Sequence, residues 1–228
     1  MLNQLHARFH RPERGWDPVP PAHAGAYAES PDAGVDAALF AQLDAWAGGL
    51  AGKRVLDLGS GPGHHALAFA RLGADVTCYD TSKIYLDLLQ RRAADAGLAP
   101  RIRCVLGYLD DAPTRLPNER FDLVFNRVCW YYGFSDRGLA KAVHALIAPG
   151  GGCFIETPIA GHNLAQSSIS TRVRTWLNTH AHLKIGHPFP PAGRIAALFD
   201  ELGAASIRVE HDRPGHERLW IKTSATKP

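Results

Sequence analysis

The chain has 228 residues, 46% hydrophobic and 21% charged, which is enough apolar material for one large core and excludes a disordered chain. Its longest apolar runs fall far short of the roughly 20 residues a membrane-spanning helix needs, and Met1 to Trp16 lack the continuous apolar stretch of a secretory leader. The formal charge is only +3, and no stretch concentrates the cations into a nucleic-acid stripe.

Residues 1–34 are rich in Pro, Gly and His without sustained periodicity, and are expected to form an irregular arm ahead of one domain over 35–228. From Val35 to Trp46, Leu39, Leu43 and Trp46 fall on one helical face, and Gly48 and Gly49 end that helix. Arg54 to Leu58 reads as a short strand. Gly59-Ser-Gly-Pro-Gly63 follows it, and a helical run from His64 to Leu72 closes at Gly73. Asp75 to Tyr79 is a second strand ending at Asp80. Ser82 can cap a helix that carries Ile84, Leu88 and Leu89 to about Ala96, where Gly97 stops it. Ile102 to Leu106 and Phe121 to Phe125 are the third and fourth strands. Ser135 caps a helix with Leu139, Val143, Leu146 and Ile147 on one face, and Pro149-Gly-Gly-Gly152 breaks the chain before a fifth strand, Cys153 to Glu156. This alternation over 52–156 predicts parallel crossover units in an open, twisted α/β sheet. Residues 159–190 carry no clear strand and are expected to form an inserted lid. A helix at 192–202 then precedes Ser206 to Glu210 and Arg218 to Thr223, a predicted antiparallel pair. Cys78, Cys104, Cys129 and Cys153 each lie in an apolar run, spaced for neither a zinc site nor a disulfide framework, and are expected to be reduced core thiols of a cytoplasmic protein.

The strongest chemical signal is Val55-Leu-Asp-Leu-Gly-Ser-Gly-Pro-Gly63, between a strand and a helix. Glycines there let the backbone turn tightly and approach a ligand, and the second-strand Asp80 would meet that loop at the carboxyl ends of the strands. A nicotinamide dinucleotide site uses GxGxxG, and here His64 stands at the third Gly position. The sequence resembles instead the class I S-adenosylmethionine-dependent methyltransferases. The resemblance rests on Leu56-Asp-Leu-Gly-Ser-Gly-Pro-Gly63, on Asp80, on Phe121-Asp-Leu-Val-Phe-Asn126, on Pro149-Gly-Gly151 and on the terminal antiparallel pair. It covers about residues 35–224.

The resemblance implies a doubly wound, mostly parallel seven-stranded sheet with a C-terminal antiparallel hairpin, and S-adenosyl-L-methionine as cofactor. It places Gly59, Gly61 and Gly63, with Ser60, beneath the methionine and ribose portions. Asp80, with Thr81 beside it, would hold the ribose hydroxyls, since one carboxylate can accept two hydrogen bonds side by side. Asp57 would face the amino end and offset the sulfonium, and Asn126 would border the methionine amine through its backbone carbonyl. The chain departs from the family after the third strand, where Gly107 is followed by Tyr108, Leu109 and Asp110 rather than by an Asp. Either Asp110 reaches the adenine amine, or Tyr108 packs on the ring while Leu109 supplies backbone contacts.

Methyl transfer from a sulfonium is a direct displacement, so the protein mainly holds the nucleophile in line, and a general base is needed only for an acceptor that keeps its proton. Trp130, Tyr131 and Tyr132 could wall an organic substrate or pack beneath the lid. Glu156 and His162 bring a carboxylate and an imidazole to the same opening, so Tyr131, Glu156 and His162 are the catalytic candidates. Arg127, Arg172 and Arg174 could pair with an acidic substrate. His180 and His182 have no evident third ligand, so no metal is expected. Asn126 is followed by Arg-Val-Cys rather than by Pro-Pro-Tyr, and Val128 rather than Pro precedes Cys129, so neither nucleic-acid methylation motif is present. A small-molecule acceptor, methylated at oxygen or nitrogen, is the expectation. An oxidoreductase and a non-catalytic cofactor-binding subunit are its rivals, and the oligomeric state is open.

Overall fold

Five strands carry the parallel part of the sheet: β1 (Arg54–Leu58), β2 (Asp75–Asp80), β3 (Ile102–Leu106), β4 (Phe121–Arg127) and β5 (Ile147–Pro158). The computed structural model describes residues 2–22, 25, 29, 34–160, 168–180 and 186–225. Strands β6 (Ser206–Glu210) and β7 (His216–Lys222) complete seven strands in the order β3-β2-β1-β4-β5-β7-β6. The first five pair in parallel; β7 runs antiparallel to β5 and β6. The order turns back at β1 and β4, whose carboxyl ends form the crevice in which ligands of such sheets lie.

Helices α1 (Leu2–Phe9), α2 (Ala37–Ala47), α3 (His64–Arg71), α4 (Lys83–Asp95), α5 (Ala112–Arg115), α6 (Asp136–Leu146), α7 (Ile169–His180) and α8 (Arg194–Glu201) are described. The caps expected from sequence are in place: Ser82 accepts from Tyr85 N and Ser135 from Gly138 N, each satisfying an orphan donor of the first turn. Alternation along the strands splits the core between the two faces. Val55, Leu123 and Phe125 pack with Leu43, Phe69 and Leu89 from α2, α3 and α4, whereas Leu56, Leu58 and Val124 pack with Val143, Leu146 and Leu198 from α6 and α8.

Two expectations are corrected. The arm contains a helix, α1, whose Leu5 and Phe9 are exposed, so no buried apolar face advertised it. The fifth strand is longer than Cys153 to Glu156. It begins at Ile147, paired with Phe121 of β4, and takes in the Pro149–Gly152 break as a register shift between Phe121 and Leu123. Strand β7 supplies partners from Gly152 through Pro158 and so extends the far end. Among the described residues no helix is long and apolar enough to cross a membrane.

Candidate functional site

Local backbone geometry builds the glycine turn between β1 and α3. Gly59 has φ +84°, and a Cβ there would stand 2.3 Å from Cys129 Sγ; Gly63 has φ +88°, and its Cβ would stand 2.4 Å from Leu89. Only a residue without a side chain satisfies both demands. The N–H groups of Gly59 and Ser60 donate to Tyr79 O at 2.7 and 3.2 Å, so the turn hangs on the end of β2. Gly61 N donates to Asp80 Oδ2 at 2.8 Å, and Ser82 N donates to Asp80 Oδ1 at 2.8 Å. Each Asp80 oxygen keeps a further lone pair for a ligand hydroxyl. Burial raises the Asp80 pKa, the three backbone donors of Ser82, Gly61 and Thr81 oppose that rise, and Asp17 adds to it. Thr81 Oγ1 donates to Gly107 O at 3.2 Å, tying the loop after β2 to the loop after β3.

Asp57 is 2% exposed. Burial, and then the Asp80 charge, push its carboxyl up to about 8 against a hydrogen bond with the Ala66 backbone. Its Oδ2 has no hydrogen-bond partner, nor do the buried Ser60 Oγ and Asn126 Oδ1. Asn126 spends its amide donors on Leu58 O at 2.8 Å and Cys129 Sγ at 2.9 Å, so its side chain joins β1 to the loop after β4. Native proteins rarely leave buried polar atoms unpaired, and three of them gather at the carboxyl ends of β1 and β4. Asn126 Oδ1 accepts only, Ser60 Oγ can accept, and Asp57 accepts once it gives up its proton, a set that suits a cation or an ammonium donor. It does not suit a pyrophosphate, which needs donors.

The arm packs against the loops that follow β2 and β3. Asp17 accepts from Ser82 Oγ at 2.7 Å and from Ile84 N at 2.9 Å. Tyr108 donates its hydroxyl to His10 O, and its ring lies 6.1 Å from Trp16 and 5.3 Å from Phe134. Arg11 pairs with Asp111 at 3.6 Å, and Glu13 pairs with Arg115. Asp110 accepts from Phe134 N at 2.8 Å, and the buried Leu109 faces Gly59. Both side chains expected at the adenine end, Tyr108 and Asp110, thus already have protein partners, one in the arm and one after β4.

On the other side of the crevice Glu156 differs from its expected role. It is fully buried and meets Arg127 at 3.2 Å, Arg213 at 2.5 Å and Arg218 at 2.9 Å. Burial alone would raise its pKa, but the three guanidiniums outweigh that and hold the carboxyl below the ordinary carboxylate range. A base needs affinity for a proton; this carboxylate is an ion-pair hub joining β4, β5, β7 and the turn before β7. Arg127 also reaches His65 Nε2 at 3.2 Å, and burial followed by the Arg127 charge pushes His65 down to about 4. Val128, next to Arg127, takes φ 56°, a strained conformation for a β-branched residue, and donates its N–H to Glu156 O at 2.7 Å.

Beyond β4, Trp130 is buried in the core, while Tyr131, Tyr132, His187 and Phe189 form an aromatic group. Tyr131 and Tyr132 ring centroids are 4.5 Å apart, Tyr131 and Phe189 5.0 Å, and Tyr132 and His187 4.8 Å. His162 and His182 lie outside the described residues, as do the side chains of Arg174 and His180, while Arg172 is exposed on α7. Among the described residues no group of three metal-ligating side chains occurs. Sequence reasoning missed Asp17, Trp16, Arg213 and Arg218, whose site partners Ser82, Tyr108 and Glu156 lie dozens of residues away. It also missed Glu217, a buried carboxylate with one oxygen on Gly193 N at 2.8 Å and the other unpartnered.

Residues 55–151, from β1 into β5, match the family described as "Methyltransferase domain". That stretch is similar to a methyltransferase domain, and the seven-stranded sheet is the α/β methyltransferase fold. A ubiquinone biosynthesis O-methyltransferase from Chromobacterium violaceum is 32% identical over 108 residues, 47% of this chain and 45% of that one. Its counterpart from Acinetobacter baylyi is 32% identical over 118 residues, 50% and 48% of the two chains. The match thus spans about half the length of these curated relatives. A methyltransferase from Geobacter sulfurreducens, solved with S-adenosyl-L-homocysteine, superposes with a TM-score of 0.60 at 21% identity, over 84% of this chain and 74% of the other. The matched domain and the fold point to S-adenosyl-L-methionine as the ligand of this crevice. The unpartnered acceptors at Asp57, Ser60 and Asn126, and the turn a Gly59 Cβ would block, fit its cationic methionine end.

Proposed function

We propose that the protein methylates an oxygen or nitrogen of a small organic molecule. The observation that carries this reading is the orphaned set of Asp57 Oδ2, Asn126 Oδ1 and Ser60 Oγ, which can accept from a cationic ligand. The aromatic group of Tyr131, Tyr132, His187 and Phe189 follows β4, the strand that carries Asn126. The curated relatives are named for O-methylation in ubiquinone biosynthesis, which favours oxygen over nitrogen.

When bound, the cofactor supplies an electrophilic methyl group on a sulfonium. The chain's own residues hold and orient it. Asp80, fixed by Gly61 and Ser82, takes the ribose hydroxyls. Gly59, Gly61 and Gly63 keep the turn open, with Ser60 at its rim and Thr81 bracing the loop behind Asp80. Asp57 and Asn126 accept from the ammonium, and Leu109 with Tyr108 and Asp110 line the adenine end. Tyr131 and its aromatic neighbours desolvate the acceptor and set its approach. Glu156 positions Arg127 and the strained Val128 peptide instead of taking a proton. His162 remains the base for an acceptor that keeps its proton.

Calorimetric titration with S-adenosyl-L-homocysteine and with NAD tests the cofactor half, and stabilisation by NAD alone would overturn it. Incubation with S-adenosyl-L-methionine and a panel of phenols, catechols, amines and carboxylic acids, read by mass for an added methyl, tests the acceptor half. Methylation of a protein or nucleic acid but of no small molecule would refute that half.

A further inference from the structure

We propose that Cys78 and Cys104 are a hydroperoxide-oxidisable dithiol whose disulfide loosens the hold of Asp80 on the cofactor. The cofactor consequence rests on the reading of Asp80 given above. Four cysteines scattered along the chain looked unrelated, but the parallel register of β2 and β3 sets the Cα atoms of Cys78 and Cys104 directly opposite each other. Neighbouring strands lie about 4.8 Å apart, inside the Cα separation of roughly 4.4–6.8 Å that a disulfide bridges. Both side chains share the face covered by α4, where Cys104 Sγ lies 4.0 Å from Leu86 O and each thiol shifts the other's pKa. Cys129 and Cys153 have no such neighbour: Cys129 is bonded to Leu58 O and Asn126, and Cys153 stands opposite Val124 and Ile221.

The two thiols are unequal. Cys104 lies on the edge strand β3 and is partly exposed, while Cys78 is buried. The Cys78 side chain lowers the Cys104 pKa, and burial raises that of Cys78. Cys104 is therefore the nucleophile and Cys78 the resolving thiol. The Cys104 thiolate attacks a hydroperoxide oxygen, the O–O bond breaks, and with one proton an alcohol or water leaves, giving Cys104 sulfenic acid. The Cys78 sulfur then attacks that sulfur, an S–S bond forms, and water departs. Two thiols are oxidised by two electrons and one peroxide bond is reduced.

Parallel strands hold facing Cβ atoms a strand spacing apart, roughly 4.8 Å, whereas a disulfide draws its Cβ atoms to about 3.8 Å, so β2 and β3 must close up at this pair. Cys78 stands opposite Asp57 in β1 and two residues before Asp80 on the same face of β2. Asp80 in turn receives Gly107 N on its backbone oxygen at 2.9 Å, from the loop after β3. The strain therefore falls on the carboxylate that meets the ribose.

The full chain is treated with hydrogen peroxide under native conditions, residual thiols are alkylated, and the digest is read by mass. The affinity for S-adenosyl-L-homocysteine is measured before treatment, after it, and after dithiothreitol. The expected result is a joined peptide pair containing Cys78 and Cys104, with affinity lowered about tenfold, as for a weakened charged hydrogen bond, and restored by dithiothreitol. Cys104→Ser should keep its affinity through the same treatment. Oxidation of Cys104 to a sulfinic acid without the joined pair overturns the proposal, and so does the joined pair with unchanged affinity. Untreated protein that fails to bind would overturn the cofactor reading itself, while the joined pair is read by mass independently.

Discussion

With Asp57 at the cofactor's ammonium as proposed, cofactor binding should be a proton-coupled event. In the free protein burial and the nearby Asp80 push its carboxyl up to about 8, so at neutral pH it is mostly protonated. An ammonium or sulfonium seated beside the orphaned Oδ2 favours the carboxylate and draws the pKa down. Below pH 8 the proton must leave on binding. With one proton released, affinity rises about tenfold per pH unit, up to about a hundredfold between pH 6 and pH 8. The assay is calorimetric titration of S-adenosyl-L-homocysteine at pH 6, 7 and 8, each in two buffers with different heats of ionisation, so that released protons are counted directly. Asp57→Asn should flatten the pH dependence and bind at pH 8 as weakly as the wild type does at pH 6. A proton count near zero at pH 7, or the same pH slope in both proteins, would refute the reasoning. The shift also fixes a stability trend. With a folded pKa of about 8 against an ordinary value of 3.8, the native state binds the extra proton between those limits. The free protein's stability from this group is full below about pH 4 and is lost as pH rises through 8, and Asp57→Asn should remove that slope in denaturant titrations.

Other perturbations follow from the same geometry. Asp80→Ala should weaken S-adenosyl-L-homocysteine by one to two decades, since a charged acceptor is worth about 1.5–3 kcal/mol; unchanged affinity in calorimetry would remove its ribose role. Gly59→Ala should cost about 2–4 kcal/mol in urea unfolding, the sum of the positive φ and the overpacking on Cys129 Sγ. Adding Cys129→Ala should recover the overpacking share, and strict additivity would show that the thiol is not the obstacle. Glu156→Gln should lower stability by about 3 kcal/mol in urea, because three guanidiniums lose their shared charge; lost turnover at unchanged stability would restore it as a base. Asp17→Ala should cost about 1–2 kcal/mol, with hydrogen exchange rising in residues 4–17 and not in β1 to β5.

The cofactor half of the fold was legible because its signals are local. Ile102–Leu106 and Ser206–Glu210 end where the sequence puts them, since each apolar run is bounded by Gly, Pro or charged residues within a few positions. The turn from Gly59 to Gly63 and the acid at Asp80 are also contiguous or one crossover apart. What stayed hidden depends on partners distant in the chain. Glu156 read as a base until β7 and its preceding turn delivered Arg218 and Arg213, 62 and 57 residues further on. Cys78 and Cys104 read as unrelated until the strand register paired them. Helix α1 escaped notice because Leu5 and Phe9 face solvent, and helical periodicity is visible only when one face is buried.

The arm has a consequence for the order of folding. Its anchors span long stretches of chain: Asp17 to Ser82 is 65 residues, and Tyr108 to His10 is 98. Such closures come late, because loop entropy must be overcome before the contact stabilises anything. During synthesis residues 2–19 emerge before β2 and β3, so their docking surface does not exist until those strands and the loops after them have formed. The arm is therefore made before its docking surface and is among the last segments to dock, and the loops after β2 and β3 stay uncovered on that side until it does.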